Sequence, residues 1–445
     1  MKKRKWIAAV LPLCFVMTGC TQNDLPNGEL KICIDGIGFD NIDAMVAEFE
    51  KQYPEISLTV EVLPQVETHY EMGGTPVLDT DSLTQREAVL QQHRTALMAG
   101  SSEADLYLIT GGLIQSYEFN GGTFIQDPVS LMHNGVLADL SGVTQSISID
   151  DYFEGVFEPG IVENTQYIIP LRSAFDGFVF NQAQDPGFSS SAEEFVQTVA
   201  DVYAEEFAEL YTGIMMPVRA VSYPIVNKAS GTISISDEAY AAAFRQTEML
   251  QEAISPHLDS ENLDTLDTAQ RIEQNKTILT TGPSPFLSLA SVGQDLSRRQ
   301  MKAAVGYTSC PNEKGGITAE ISVFAFAPAT CRNIPAANTF LAWMLSEDVQ
   351  NNTTPVFSEM TTYPVRKGCI REMIAHSAMA DSFKSLEESS YADVDAYESR
   401  INAAKFFTEH DRKLEDTLYE WRSGKKTMLE CLQELEQYWQ LYLDE

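Results

Sequence analysis

The side chains in this sequence of 445 residues that suit covalent or metal chemistry are scattered. Beyond Cys14 and Cys20 there are five cysteines, at 33, 310, 331, 369 and 431. Their number is odd, their spacings are wide and no Cys-x-x-Cys occurs, so neither a disulfide framework nor a zinc knuckle is supported. Cys310 and Cys331 can pair if neighbouring strands bring them together; packed thiols are the alternative. The six histidines, at 69, 93, 133, 257, 376 and 410, show no ligand spacing. His93 stands at a helical interval from Leu90 and Leu97, which reads as a packed helix residue. There is no Gly-x-Ser-x-Gly elbow, no His-Glu-x-x-His and no phosphate loop of the Gly-x4-Gly-Lys kind. The acidic pairs Glu193-Glu194 and Glu205-Glu206 fall on expected helices, where neighbours point to different faces, and read as solvated surface. Spacing alone does not exclude an acid pair for glycoside hydrolysis. The chemistry favoured is recognition without covalent change, with no metal and no cofactor.

The elements that must position a recognition site begin at residue 30. Leu30 to Ile34 reads as a buried strand running into the turn Asp35-Gly36-Ile37-Gly38-Phe39, whose two glycines permit close backbone approach to something small. A helix follows, capped by Asp40 or Asn41, with Ile42, Met45, Val46 and Phe49 on one face. Tyr53-Pro54-Glu55 stops it. Ile56, Leu58, Val60 and Val62 then alternate with polar residues as a half-buried strand. This β-α-β opening predicts a parallel sheet flanked by helices. Residues 64–81 read as loop, 83–99 as a helix ending at Gly100, and 104–110 as a strand running into Gly111-Gly112. Ligands of open α/β sheets bind outside the carboxyl ends of strands, so Phe39, Thr110 and Gly111 are placed to share one site.

The amino terminus predicts where this body lives. Lys2, Lys3, Arg4 and Lys5 precede an apolar run too short to span a bilayer, which ends in Val16-Met17-Thr18-Gly19-Cys20. Residues 1–19 read as a secretion signal. The cysteine after small residues resembles the lipobox of bacterial lipoproteins, which implies acylation of Cys20; an ordinary signal peptide with an incidental cysteine is the alternative. Residues 20–27 then form a short tether at the membrane surface. About 426 residues remain, enough for two domains. Losing four basic residues takes the formal charge from −34 to −38. That acidity argues against nucleic acid or anionic lipid as a partner.

The order of further motifs resembles the extracellular solute-binding proteins of ABC importers, in particular the carbohydrate-binding group that includes maltose-binding protein. After the opening just described come Met98-Ala99-Gly100 with Ala104-Asp105-Leu106, then Gly135-Val136-Leu137-Ala138-Asp139-Leu140. Tyr167-Ile168-Ile169-Pro170 leads to Gly177-Phe178-Val179-Phe180-Asn181. Residues 277–283 are similar to the strand and Gly-Pro turn that the group uses at its ligand cleft, and Ala303 to Tyr307 with Pro311 to its following strand. Phe340 to Gln350 resembles its helix, and Tyr363-Pro364-Val365 its return crossing. Each motif is weak alone; their shared order carries the resemblance.

The resemblance implies a two-lobed α/β fold of the periplasmic-binding-protein type II kind, each lobe a mostly parallel sheet flanked by helices. Three crossings join a first lobe of 28–172 plus 326–364 to a second of 173–325 plus 365–445. It also implies a monomeric, lipid-anchored receptor on the extracytoplasmic face of the cell membrane, which captures a small polar ligand, a sugar above all, and delivers it to ABC permease subunits by hinge closure. A sensing or adhesive lipoprotein on the same fold, or a secreted glycoside hydrolase, is the alternative.

A sugar cleft needs aromatic faces for pyranose C–H surfaces and planar groups for hydroxyls. To Phe39, Thr110 and Gly111 are added Arg172 and Ser173 at the first crossing, Arg219 and Tyr223 in the irregular stretch 217–224, and Ser284 and Phe286 after Gly282-Pro283. The two arginines suit structural ion pairs equally well in so acidic a chain. Where the group carries tryptophan after the Gly-Pro turn this sequence has Ser284, and Trp343, Trp421 and Trp439 have the spacing of core residues. A peptide, an amino-sugar or a polyol-like ligand therefore stays open.

Overall fold

The computed structural model describes residues 28–35, 38–70, 76–111, 124–175, 177–182, 189–202, 204, 215–228, 230–257, 270, 281–282, 285–357, 362–377 and 380–444. The signal, Cys20, the tether, Glu205-Glu206, Gly112, residues 277–280 and Ser284 lie outside them, as does the side chain of Phe286.

The first helix, Ile42–Gln52, starts where the Asn41 carboxamide accepts the Ala44 N–H at 3.0 Å, and it buries Met45 and Phe49. Phe49 meets Phe340 and Trp343 edge-on, which fixes that helix against Ile334–Met344. The strand Ile56–Val62 follows as the alternation predicts, but Val62 is 51% exposed because this strand ends the sheet and pairs only with Gly28–Asp35. The next helix, Thr80–Met98, begins three residues before Leu83 because the Asp79 side chain accepts the Ser82 N–H at 2.7 Å.

Two sheets organise the described residues. The larger has the order Tyr363–Pro364, Ile168–Ala174, Ile317–Phe326, Leu106–Thr110, Gly28–Asp35, Ile56–Val62. Leu106–Thr110, Gly28–Asp35 and Ile56–Val62 are parallel, as a β-α-β opening requires. Ile317–Phe326 runs antiparallel to both Leu106–Thr110 and Ile168–Ala174, because a chain returning from the other lobe enters in reverse. One edge of this ten-residue strand is shared: residues 323–326 pair with Leu106–Thr110, and 317–321 pair with Ile401–Phe406. Both Ile317–Phe326, expected to cross at 325/326, and Ile401–Phe406, expected in the second lobe, therefore complete the larger sheet. The smaller sheet, Thr281–Gly282, Gly177–Asn181 and Val305–Thr308, is antiparallel throughout.

The core divides in the same way. One cluster fills the larger sheet and runs through Phe175, Tyr363 and Tyr397 towards Tyr307. The other gathers Phe195, Val199, Phe244 and Leu250 with Leu414, Leu418, Leu435 and Trp439. These last four belong to the tail helices Glu409–Arg422 and Met428–Asp444. The turn between them passes through Gly424 at φ 73°, a conformation that suits glycine. Trp343 and Trp439 are core residues, and Trp421 packs at the edge of the second core. Cys310 and Cys331 do not form a disulfide: one packs in the second core and the other against the first.

Candidate functional site

The chain leaves the first strand at Asp35, which is wholly buried and held by Arg86: Nη1 donates to Oδ1 at 2.7 Å and Nη2 to Oδ2 at 3.2 Å. The loop returns at Gly38, whose N–H donates to Thr110 Oγ1 at 3.0 Å. A Cβ there would stand 2.7 Å from Val323 Cγ2 and 2.9 Å from Thr110 Oγ1. The close approach that this glycine permits is thus to the protein's own threonine. Gly111 behaves alike, donating its N–H to the Ser322 carbonyl at 2.6 Å with no space for a side chain beside the Ile321 carbonyl.

Phe39 lies tilted on Phe357 with centroids 5.6 Å apart, and the Arg172 guanidinium stands 4.3 Å from the Phe357 centroid. Arg172 Nη1 donates to the Gln350 carbonyl at 2.9 Å, and the Ser173 hydroxyl to the Pro364 carbonyl at 3.4 Å. Thr110, Arg172 and Ser173 are wholly buried and Phe39 nearly so. The fold therefore brings Phe39, Thr110, Gly111, Arg172 and Ser173 into one layer, as strand ends in a sheet require, but below the surface. Gln350 ties this layer to the third crossing: its Nε2 donates to Leu171 and Met344 carbonyls and its Oε1 accepts the Val365 N–H. Arg219 makes the structural ion pair that its alternative reading foresaw, with Nε 2.6 Å from Glu415 Oε1.

Among the described residues, Tyr223 is the expected site residue that reaches open space. It lines a crevice of about 540 Å³ between the two cores. One wall is the helix Pro128–His133, through Val129, Met132 and His133, with the 158–163 turn beside it; the opposite wall is Ser222, Tyr223, Pro224, Asn227 and Ser230. Ala404, Lys405, Phe406 and Thr408 form the floor. The Tyr223 ring stands edge-on to Tyr240, centroids 5.5 Å apart, and the Tyr240 hydroxyl donates to the Tyr223 carbonyl at 2.7 Å. Burial, with the carboxylates of Asp237 and Glu313 nearby, pushes the Tyr223 phenol above its ordinary value, so it is a neutral donor. Ser222 is fixed by Glu313, which accepts both its N–H and its hydroxyl.

Lys405 is only 3% exposed, yet it lines this floor. Glu320 is its cross-strand neighbour. Glu158 and Glu163, both exposed, sit at the mouth. The crevice thus offers a tyrosine, a phenylalanine, a cation, hydroxyls and a carboxamide, which suits a polyhydroxylated ligand. Lys405 and Phe406 escape a sequence reading because nothing local shows that a strand so late in the chain joins the first lobe.

Beside the crevice, Asp127 joins the two cores. Its Oδ2 accepts the Tyr442 hydroxyl at 2.5 Å and lies 3.8 Å from His410 Nε2, while the Glu409 N–H donates to the Gln126 carbonyl. Burial alone raises the Asp127 carboxyl, but its contacts with His410 and Tyr442 outweigh it and hold the group below the usual aspartate value.

No protein-family model matches the chain, and no curated protein matches it in sequence. Its fold is similar to that of the sugar-binding protein MalE from Xanthomonas citri, with 13% identity, a TM-score of 0.59 and cover of 94% of this chain and 98% of that one. It is also similar to an extracellular solute-binding protein family 1 from Alicyclobacillus acidocaldarius and to the cyclic alpha-maltosyl-1,6-maltose binding protein from Arthrobacter globiformis. Each of these shows 14% identity, a TM-score of 0.55 and cover of 94% of this chain and 99% of the other. The chain has the two-lobed α/β fold of these solute-binding proteins. Among the described residues no helix is long and apolar enough to cross a membrane.

Proposed function

We propose that this chain is a carbohydrate-binding substrate receptor of an ABC importer, tethered outside the membrane through lipid on Cys20, and that it binds without catalysing a reaction. The observation that carries this reading is the crevice between the two cores, with the Tyr223 ring on one wall and hydrogen-bonding groups on both. Sugar binding in proteins of the same fold supports it. The ligand lies against the Tyr223 and Phe406 side of the crevice, while Asn227, Ser230 and Lys405 supply donors to its hydroxyls. Bridging both walls, it biases an open-closed equilibrium towards the closed form, which is the form presented to the permease.

Mass spectrometry of the small molecule that co-purifies with the mature protein tests the reading, followed by thermal shift with that compound. A saccharide that raises the melting temperature supports it; a peptide or a nucleotide in its place removes it. Tyr223→Ala is expected to weaken saccharide binding at least about tenfold, the loss of one good stacking contact. Stimulation of the partner importer's ATPase by the loaded protein checks delivery, and an acylated Cys20 in the mass spectrum of the membrane-extracted chain checks the anchor.

A further inference from the structure

Three adjacent strands of the larger sheet place a row of side chains on one face. Cys33 is the register partner of Glu61 on one side and of Tyr107 on the other. The helix Thr80–Met98 crosses this row and sets His93 upon it, with the Cys33 sulfur 3.9 Å from Nδ1 and the Glu61 carboxylate 3.6 Å from Nε2. One ligand atom from each of Cys33, Glu61 and His93 lies within 4.8 Å of the other two. We propose that these three residues bind a thiophilic divalent cation of the zinc type, at a site that shares no residue with the crevice.

Donor chemistry chooses the cation. A thiolate, an imidazole and a carboxylate suit Zn²⁺, whereas Mg²⁺ and Ca²⁺ take oxygen ligands. Tetrahedral zinc with bonds of about 2.0 to 2.3 Å holds its ligand atoms roughly 3.3 to 3.7 Å apart, so the cluster closes onto an ion by moving about 1 Å. The freedom to do so exists where it is needed: the Glu61 side chain is 45% exposed, while Cys33 is fixed in the sheet. His93 has a second partner that orients its ring, since Nδ1 lies 3.3 Å from the Tyr107 hydroxyl, which is 3.0 Å from Ser102 Oγ. With Nδ1–H held there, Nε2 is the nitrogen left for the metal, and the ring tilts to bring Nε2 towards the Cys33 sulfur, which lies 3.9 Å from Nδ1. Burial, with the carboxylates of Glu61 and Asp35, pushes the Cys33 thiol up, so the metal-free residue is protonated. Binding releases that proton to solvent and leaves thiolate on the ion, with the fourth position open to water on the exposed side of His93.

The test uses the full mature chain, stripped with a chelator and titrated with Co²⁺ and then Zn²⁺. One equivalent of Co²⁺ is expected to give a thiolate-to-cobalt charge-transfer band, which Zn²⁺ abolishes by displacement, and Zn²⁺ is expected to raise the melting temperature. Cys33→Ser and His93→Gln should each lose the band, and Tyr107→Phe should weaken binding by about tenfold. His93 is at the partly exposed edge of the cluster, so its variant keeps the fold where Cys33→Ser does not. Absence of the band at one equivalent overturns the proposal. So does a band that survives in Cys33→Ser, which puts the ion on another of the cysteines, or a Co²⁺ affinity left unchanged in His93→Gln.

Discussion

Arg86 and Arg219 each pair with a carboxylate, and the fold sets the two pairs far apart in consequence. Arg86 and Asp35 are both wholly buried, so Arg86→Met strands a carboxylate in the core and is expected to cost about 3–5 kcal/mol in urea unfolding. Arg219 and Glu415 are partly solvated, and Arg219→Met should cost about 1 kcal/mol or less in the same assay. Glu398 gives a pH prediction. Burial raises its carboxyl from 4.5 to about 8. Below pH 4.5 folded and unfolded chains both hold the proton; between there and about 8 only the folded chain does, so the stability this group supplies is lost as pH rises through that window. Glu398→Gln should therefore gain in melting temperature relative to the parent from pH 4.5 to 8, and show no such gain below 4.5. The site was partly legible at this scale. Residue types and strand ends located Phe39, Thr110 and Arg172 near one another, but burial depends on what packs above, and Phe357 and Gln350 come from far along the chain.

Helix caps and stops carry local signals, and the first elements were readable for that reason. Asn41, Pro54 and the apolar face of Met45 and Phe49 fixed the helix Ile42–Gln52, and Asn41→Ala is expected to cost about 1 kcal/mol of stability in denaturant unfolding. Gly38→Ala should lower the melting temperature for a tertiary reason, since its new methyl runs into Val323 and Thr110. Circular dichroism melts of the two variants check both. The resemblance located the segments of the smaller sheet, but not how they pair, because the strands are short, down to the two residues Thr281–Gly282, and their partners are more than a hundred residues away. The same holds for Ile401–Phe406, whose six residues carry no local sign of the sheet they join.

At the scale of the whole molecule, the two-lobed α/β division followed from the order of motifs, while the contacts that set the gap between lobes had no sequence signature. Asp127 and Tyr442 are the clearest of these, 315 residues apart. A hydrogen bond to a charged group is worth about 1.5–3 kcal/mol, so Tyr442→Phe should shift the population towards the open form. Small-angle scattering is expected to show a larger radius of gyration, and saccharide affinity should fall about tenfold. The strand Ile317–Phe326 sits in the middle of the larger sheet, Ile401–Phe406 pairs with its first half, and Tyr363–Pro364 borders Ile168–Ala174. As the chain emerges from the ribosome, the first 174 residues therefore hold only the flanks of a sheet whose middle has not been made. That half must wait, unfinished and with bare strand edges, until some two hundred and thirty more residues have followed it.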